Sequence, residues 1–145
     1  MKYIVLAILM FLLGALLTTF RPPESFYSPV VRMRSPAGFF VTYLRERVQG
    51  TKACHAEIDE YVEPLVKACP DCSIESTECA TQLNGIEKAL ADDNPLPVYT
   101  VRAEGVRMSV VGAPRQTRLW CEAVASEMVK RGLSTAACVF PAEKL

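Results

Sequence analysis

Hydrophobic positions along this chain change their period from segment to segment, and each change predicts a different element. Tyr3 to Phe20, YIVLAILMFLLGALLTTF, is one unbroken apolar run behind Met1 and Lys2. As a helix that run rises about 27 Å, enough to cross the roughly 30 Å hydrocarbon layer of a bilayer. Its downstream edge, Leu17-Thr18-Thr19-Phe20-Arg21, has no Ala-x-Ala-like cleavage site. Residues 1–20 therefore read as an uncleaved single-span signal anchor rather than a leader that is removed. Residues 21–36, RPPESFYSPVVRMRSP, hold four prolines and no helical or strand period. They predict an extended juxtamembrane stalk, whose Phe26, Tyr27, Arg32 and Arg34 suit the headgroup level of a membrane.

Residues 37–145 read as one exported α+β domain. From Gly38 to Val48, the spacings of four in Phe39/Tyr43 and Phe40/Leu44/Val48 favour a helix over a short strand. Thr51 to Ala68 is the firmest helix of the first half. Cys54, Ile58, Tyr61, Val62, Leu65, Val66 and Cys69 recur at spacings of three and four, opposite Glu57, Glu60 and Glu63. Pro64 is expected to kink it. Ala80, Leu83, Ile86 and Leu90 continue as a second helical pattern, interrupted at Asn84-Gly85, before the break Asp92-Asp-Asn-Pro-Leu-Pro97.

Beyond that break the period becomes two. Val98 to Ala103, the turn Glu104-Gly105 and Val106 to Val111 predict a hairpin with Val106, Met108 and Val110 on one side. Pro114 opens a helix whose stripe is Leu119, Trp120, Ala123, Val124, Met128 and Val129, and Gly132 stops it. Ser134 to Phe140 predicts the last strand. The expected architecture is a transmembrane helix, a helical segment and a ββαβ two-layer unit.

Every cysteine follows the apolar run: Cys54, Cys69, Cys72, Cys79, Cys121 and Cys138. Six cysteines in a small exported domain read as disulfides. Cys121 lies roughly 16 Å of helix before Gly132, and Cys138 lies roughly 16 Å of strand beyond it. An antiparallel helix and strand bring the two level, which favours Cys121–Cys138. Cys54 and Cys69 are about 22 Å apart along one helix, too far to bond. If Ser73 to Glu78 returns extended, Cys79 meets Cys54 and leaves Cys69 to pair with Cys72. If residues 76–91 are all helical, Cys79 instead lies near Cys69 or Cys72. The first arrangement is favoured.

A net charge of zero argues against nucleic acid as a partner. Residues 51–93 hold three basic and ten acidic side chains, between basic flanks, a distribution expected of a soluble, self-complementary surface. Cys69-Pro70-Asp71-Cys72 has the spacing of a thiol–disulfide oxidoreductase. Placed after a helix, however, Cys69 meets the negative end of the dipole, which does not stabilise a thiolate. His55, the sole histidine, lies beside Cys54, but the spacing fits no standard zinc finger. No Gly-x-Ser-x-Gly, phosphate loop or His-Glu-x-x-His occurs. Catalytic residues, metal and cofactor are therefore expected to be none. Arg115 and Arg118 in the first helical turns, with Arg107 on the adjoining strand, form a candidate anion site.

The order of anchor, proline-rich stalk and small C-terminal domain resembles bitopic inner-membrane proteins of the bacterial envelope. Val106 to Val139, with strand, Val-Gly turn, helix, Gly132 and strand, looks like one half of a SPOR domain. That resemblance implies binding to peptidoglycan glycan chains, although the cysteines and the 51–91 insert depart from it. The expectation is a single-pass protein of the bacterial inner membrane with its bulk in the periplasm. It binds or scaffolds without catalysis, as accessory to an envelope assembly. An envelope protein or an anionic glycan is the expected partner.

Overall fold

The computed structural model describes residues 25–142. The expected anchor at residues 1–20 lies outside them, and among the described residues no helix is long and apolar enough to cross a membrane. Seven antiparallel strands form one sheet: β1 (Phe26–Arg34), β2 (Phe40–Arg45), β3 (Val48–Gln49), β4 (Ser73–Ala80), β5 (Tyr99–Ala103), β6 (Val106–Val111) and β7 (Ala137–Val139). Three helices complete the domain: α1 (Thr51–Ala68), α2 (Gly85–Ala91) and α3 (Pro114–Lys130). The fold is α+β with a disulfide in each half.

Strand pairing exposes an internal repeat. β1, β2, α1 and β4 follow one another as strand, strand, helix, strand, and β5, β6, α3 and β7 do the same. In each unit the third long strand returns antiparallel to the first, β4 on β1 and β7 on β5. The units join through β2 and β6, paired from Phe40↔Val111 to Arg45↔Val106. The order β4-β1-β2-β6-β5-β7 is a palindrome about an antiparallel pair, so an approximate two-fold axis relates the halves.

Both long helices lie on one face of the sheet. Cys54 and Ile58 of α1 and Cys121 and Ala125 of α3 join Val31, Val41, Tyr43, Val101 and Met108 in one core. On the opposite face Val30, Leu44 and Ala80 pack with Leu90 and Leu96 of the segment that links the units. Arg32 of β1 holds that segment through Glu87 (2.7 Å), and Arg107 of β6 holds it through Asp93 (2.7 and 3.0 Å).

Several sequence expectations are corrected here. Residues 26–34, expected in the stalk, are a strand with Ser28 to Val31 fully buried. Burial on both faces removes the alternation by which a strand is recognised. Pro29 lies opposite Cys79 of β4, and on its other edge it falls in the gap between the pairings of β1 with β3 at 26–27 and with β2 at 30–34, where a missing N–H is tolerated. Residues 40–45, within the Gly38 to Val48 segment expected as helix, are β2, and Val48 at its end begins β3, with turns at Gly38 and Gly50 on either side. Ala80 ends a strand, so only Gly85–Ala91 of the second helical pattern is a helix. α1 runs through Pro64. Leu119, Ala123 and Val129 of the expected α3 stripe are exposed, and the buried positions are Thr117, Cys121 and Ala125. The hairpin, α3 and a shortened last strand stand as expected.

Candidate binding groove at the seam of the two units

Where the units meet, α1 and α3 leave a groove of about 270 Å³ over the β2–β6 pair. Its floor is Val41 and Tyr43 from β2 with Val106 and Met108 from β6. These side chains share the floor because alternate residues of a strand point to one face, and the pairing sets Tyr43 opposite Met108. Tyr61 and Leu65 form one wall, and Trp120, Val124 and Met128 the other. The walls follow helical spacing: Trp120, Val124 and Met128 lie at i, i+4 and i+8 on the flank of α3. Trp120 is steadied against Phe39, with ring centroids 5.8 Å apart.

Polar groups sit on the Arg45 side of this groove. The Arg45 guanidinium lies 4.2 Å from the Tyr61 ring centroid and 3.1 Å from Glu57 Oε2. That Glu57 oxygen is buried and lacks hydrogen-bonding geometry, so the Arg45 contact is ionic only. Arg131 pairs with Glu127 at 3.0 Å on the α3 side. Tyr43 is 3% exposed, and among the described residues its hydroxyl meets no hydrogen-bond partner. Burial pushes the Tyr43 phenol far above the ordinary tyrosine range, and the nearby Arg45 charge offsets this only in part. The phenol is therefore a neutral donor at neutral pH.

A second cavity, about 630 Å³, lies on the linker side and includes Arg45, Arg47, Lys88 and Arg107 in its lining. Its cationic side chains are already engaged. Lys88 meets Asp92 at 2.5 Å, Arg107 meets Asp93 at 2.7 Å, and Arg47 donates to the carbonyls of Phe26 and Thr81 at 3.0 and 3.3 Å. Of these contacts, Arg107 with Asp93 fastens the linker to the sheet.

The six cysteines form Cys54–Cys79, Cys69–Cys72 and Cys121–Cys138, with Cα separations of 5.9, 5.3 and 5.5 Å. Cys69 follows the C-terminal end of α1, its N–H bonded to the Leu65 carbonyl at 3.1 Å. Of the arginines expected to gather around the start of α3, Arg115 and Arg118 are exposed on the helix, three residues apart, and Arg107 lies apart from them. Arg107 alternates with the floor residues Val106 and Met108, so it faces the linker and binds Asp93. Arg118 pairs with Glu122 at 2.9 Å and lies 5.5 Å from the Phe140 ring centroid, while Arg115 is exposed. His55 is exposed on α1.

Sequence reasoning missed the groove because it read β2 as helix. The available signal was composition: Phe-Phe-Val-Thr-Tyr-Leu between Gly38 and Gly50 is rich in aromatic and β-branched residues. With Phe39, Val41 and Tyr43 taken at period two, one face of a strand follows. No family model, curated protein or solved structure matches this chain.

Proposed function

We propose that this is an extracytoplasmic binding module, held to a bacterial inner membrane by residues 1–20. It recognises a partner in the cell envelope as an accessory to an assembly, with no catalysis of its own. The groove at the seam carries this reading, because concave, mostly apolar sites between two packed units are where proteins hold ligands. The apolar run ahead of six cysteines, all of them in disulfides among the described residues, supports an oxidising address.

The rival readings have less support. Anionic glycan binding in the SPOR manner would draw on Arg107, Arg115 and Arg118, which do not converge. Thiol–disulfide exchange by Cys69 and Cys72 would need a stabilised thiolate, and Cys69 lies past the carbonyl end of α1. Fractionation with mass spectrometry tests the proposal. A chain that keeps Met1, resists carbonate extraction and has no alkylatable thiol before reduction is the expected result. A mature chain starting near residue 20, or free thiols in freshly lysed cells, would falsify it.

A further inference from the structure

We infer that the groove holds a compact, uncharged ligand with an apolar body and one oxygen acceptor, received by the Tyr43 hydroxyl. This rests on the groove being the binding site of the module, and adds the chemical class of what enters it.

Three observations carry it. A buried polar group without a partner is rare in a native fold, and Tyr43 Oη is one. A protonated phenol lacking a partner calls for an acceptor, such as a carbonyl or ether oxygen. Next, the cations of the lining already have carboxylate partners, Arg131 with Glu127 in the lining and Arg45 with Glu57 beside it, so neither is free to take an ion. Last, the walls are aromatic and thioether surface, with Met33, Met108 and Met128 all in the lining. Unbranched methionine side chains adapt to a ligand's outline.

The methionines also supply the test. Three of the five, Met33, Met108 and Met128, line the groove, whereas Met1 and Met10 flank or lie in the apolar run. The full chain labelled with methyl-¹³C methionine, in lipid bicelles, is titrated with 2-acetylnaphthalene, naphthalene and 2-naphthoate. The expected result is saturable, joint movement of the Met33, Met108 and Met128 resonances with 2-acetylnaphthalene. Met1 and Met10 should report only partition into lipid. Tyr43→Phe should weaken 2-acetylnaphthalene roughly five- to tenfold and leave naphthalene unchanged, the loss of one hydrogen bond. Val124→Phe should abolish binding of both by filling the groove, with the three disulfides intact as evidence of folding. Movement confined to Met1 and Met10 would overturn the inference. So would tightest binding by 2-naphthoate, equal weakening of naphthalene by Tyr43→Phe, or undiminished binding to Val124→Phe. None of these results touches the anchoring or the oxidised thiols, which fractionation tests separately.

Discussion

The two ββαβ units follow one plan, yet their helix-to-strand ties sit a turn apart. Counted from the first helical residue, Cys54 of α1 corresponds to Thr117 of α3, and Ile58 corresponds to Cys121. All four are buried. Where the first unit has a disulfide, the second has Thr117 Oγ1 donating to the carbonyls of Ala113 and Pro114, both at 3.1 Å. The returning strand explains the offset. β4 has eight residues and carries Cys79 back to the first turn of α1; β7 has three and brings Cys138 only as far as the second turn of α3. The tie falls at whatever level the strand reaches, so the plan is set by topology and the link is fitted to it.

If the units are equivalent, their ties should stabilise alike, and this is the largest effect expected. Cys54→Ser with Cys79→Ser, and Cys121→Ser with Cys138→Ser, should each cost about 3 kcal/mol on the chain-entropy argument. The sequence separations, 25 and 17 residues, differ too little to matter on a logarithmic scale. Removing Cys69 and Cys72, three residues apart, should cost roughly half as much. Urea midpoints of the three double variants order them. If one long tie proves dispensable while loss of the other unfolds the chain, a single unit carries the fold and the symmetry is only of shape.

The next test lies where the units enter their helices. Gly50 precedes α1 with φ 85° and ψ 146°, a conformation other residues avoid. Gly112 precedes α3 for a different reason. A Cβ there would come within 2.6 Å of Phe39 Cβ and 2.9 Å of Phe39 Cα, atoms that belong to the other unit's hairpin. Gly112→Ala should therefore cost about 1–3 kcal/mol by overpacking the seam, and Gly50→Ala about 1–2 kcal/mol by backbone strain. A neutral Gly112→Ala in denaturant unfolding would mean the seam is looser than this. Thr117→Val, which removes the hydroxyl bonded to the start of α3 at the position equivalent to Cys54, should cost about 1 kcal/mol. No measurable loss would leave the correspondence between Thr117 and Cys54 without energetic content.

The same asymmetry decided what could be read from the chain. The second unit was legible because Glu104-Gly105 makes a two-residue turn between strands that alternate, and Pro114 and Gly132 bracket α3. Cys54–Cys79 followed from the lengths of helix and strand alone. The first unit was hidden by the very features that make β1 central. Ser28 to Val31 are covered on both faces, and Pro29 sits within the strand, so the segment had neither alternation nor the composition of a core strand. With β1 read as stalk and β2 as helix, the repeat could not be seen, nor could a groove that needs both units. Tyr43 was visible only as part of a helical spacing, although Val41 and Tyr43 share a strand face.

The smallest effect concerns how each unit grips the linker. In the first, Arg32 reaches Glu87 and Glu78; in the second, Arg107 and Arg102 converge on Asp93. Hydrogen bonding from Arg107 holds the Asp93 carboxyl below its ordinary range, with burial opposing and the charges of Arg107 and Arg102 assisting. A carboxyl lowered on folding contributes stability above its unfolded pKa, about 3.9, and that contribution is lost as pH falls through the folded value. The side chain is 46% exposed, so the contribution is discounted for solvent screening to under about 1 kcal/mol. Asp93 also has φ 55°, a conformation that asparagine tolerates. Asp93→Asn should thus be slightly destabilising at pH 6 and closer to the parent near pH 2. If instead the two proteins differ by the same amount at both values, the arginine clasp on the second unit contributes nothing through charge, and the linker is held there by Leu90 and Leu96 alone.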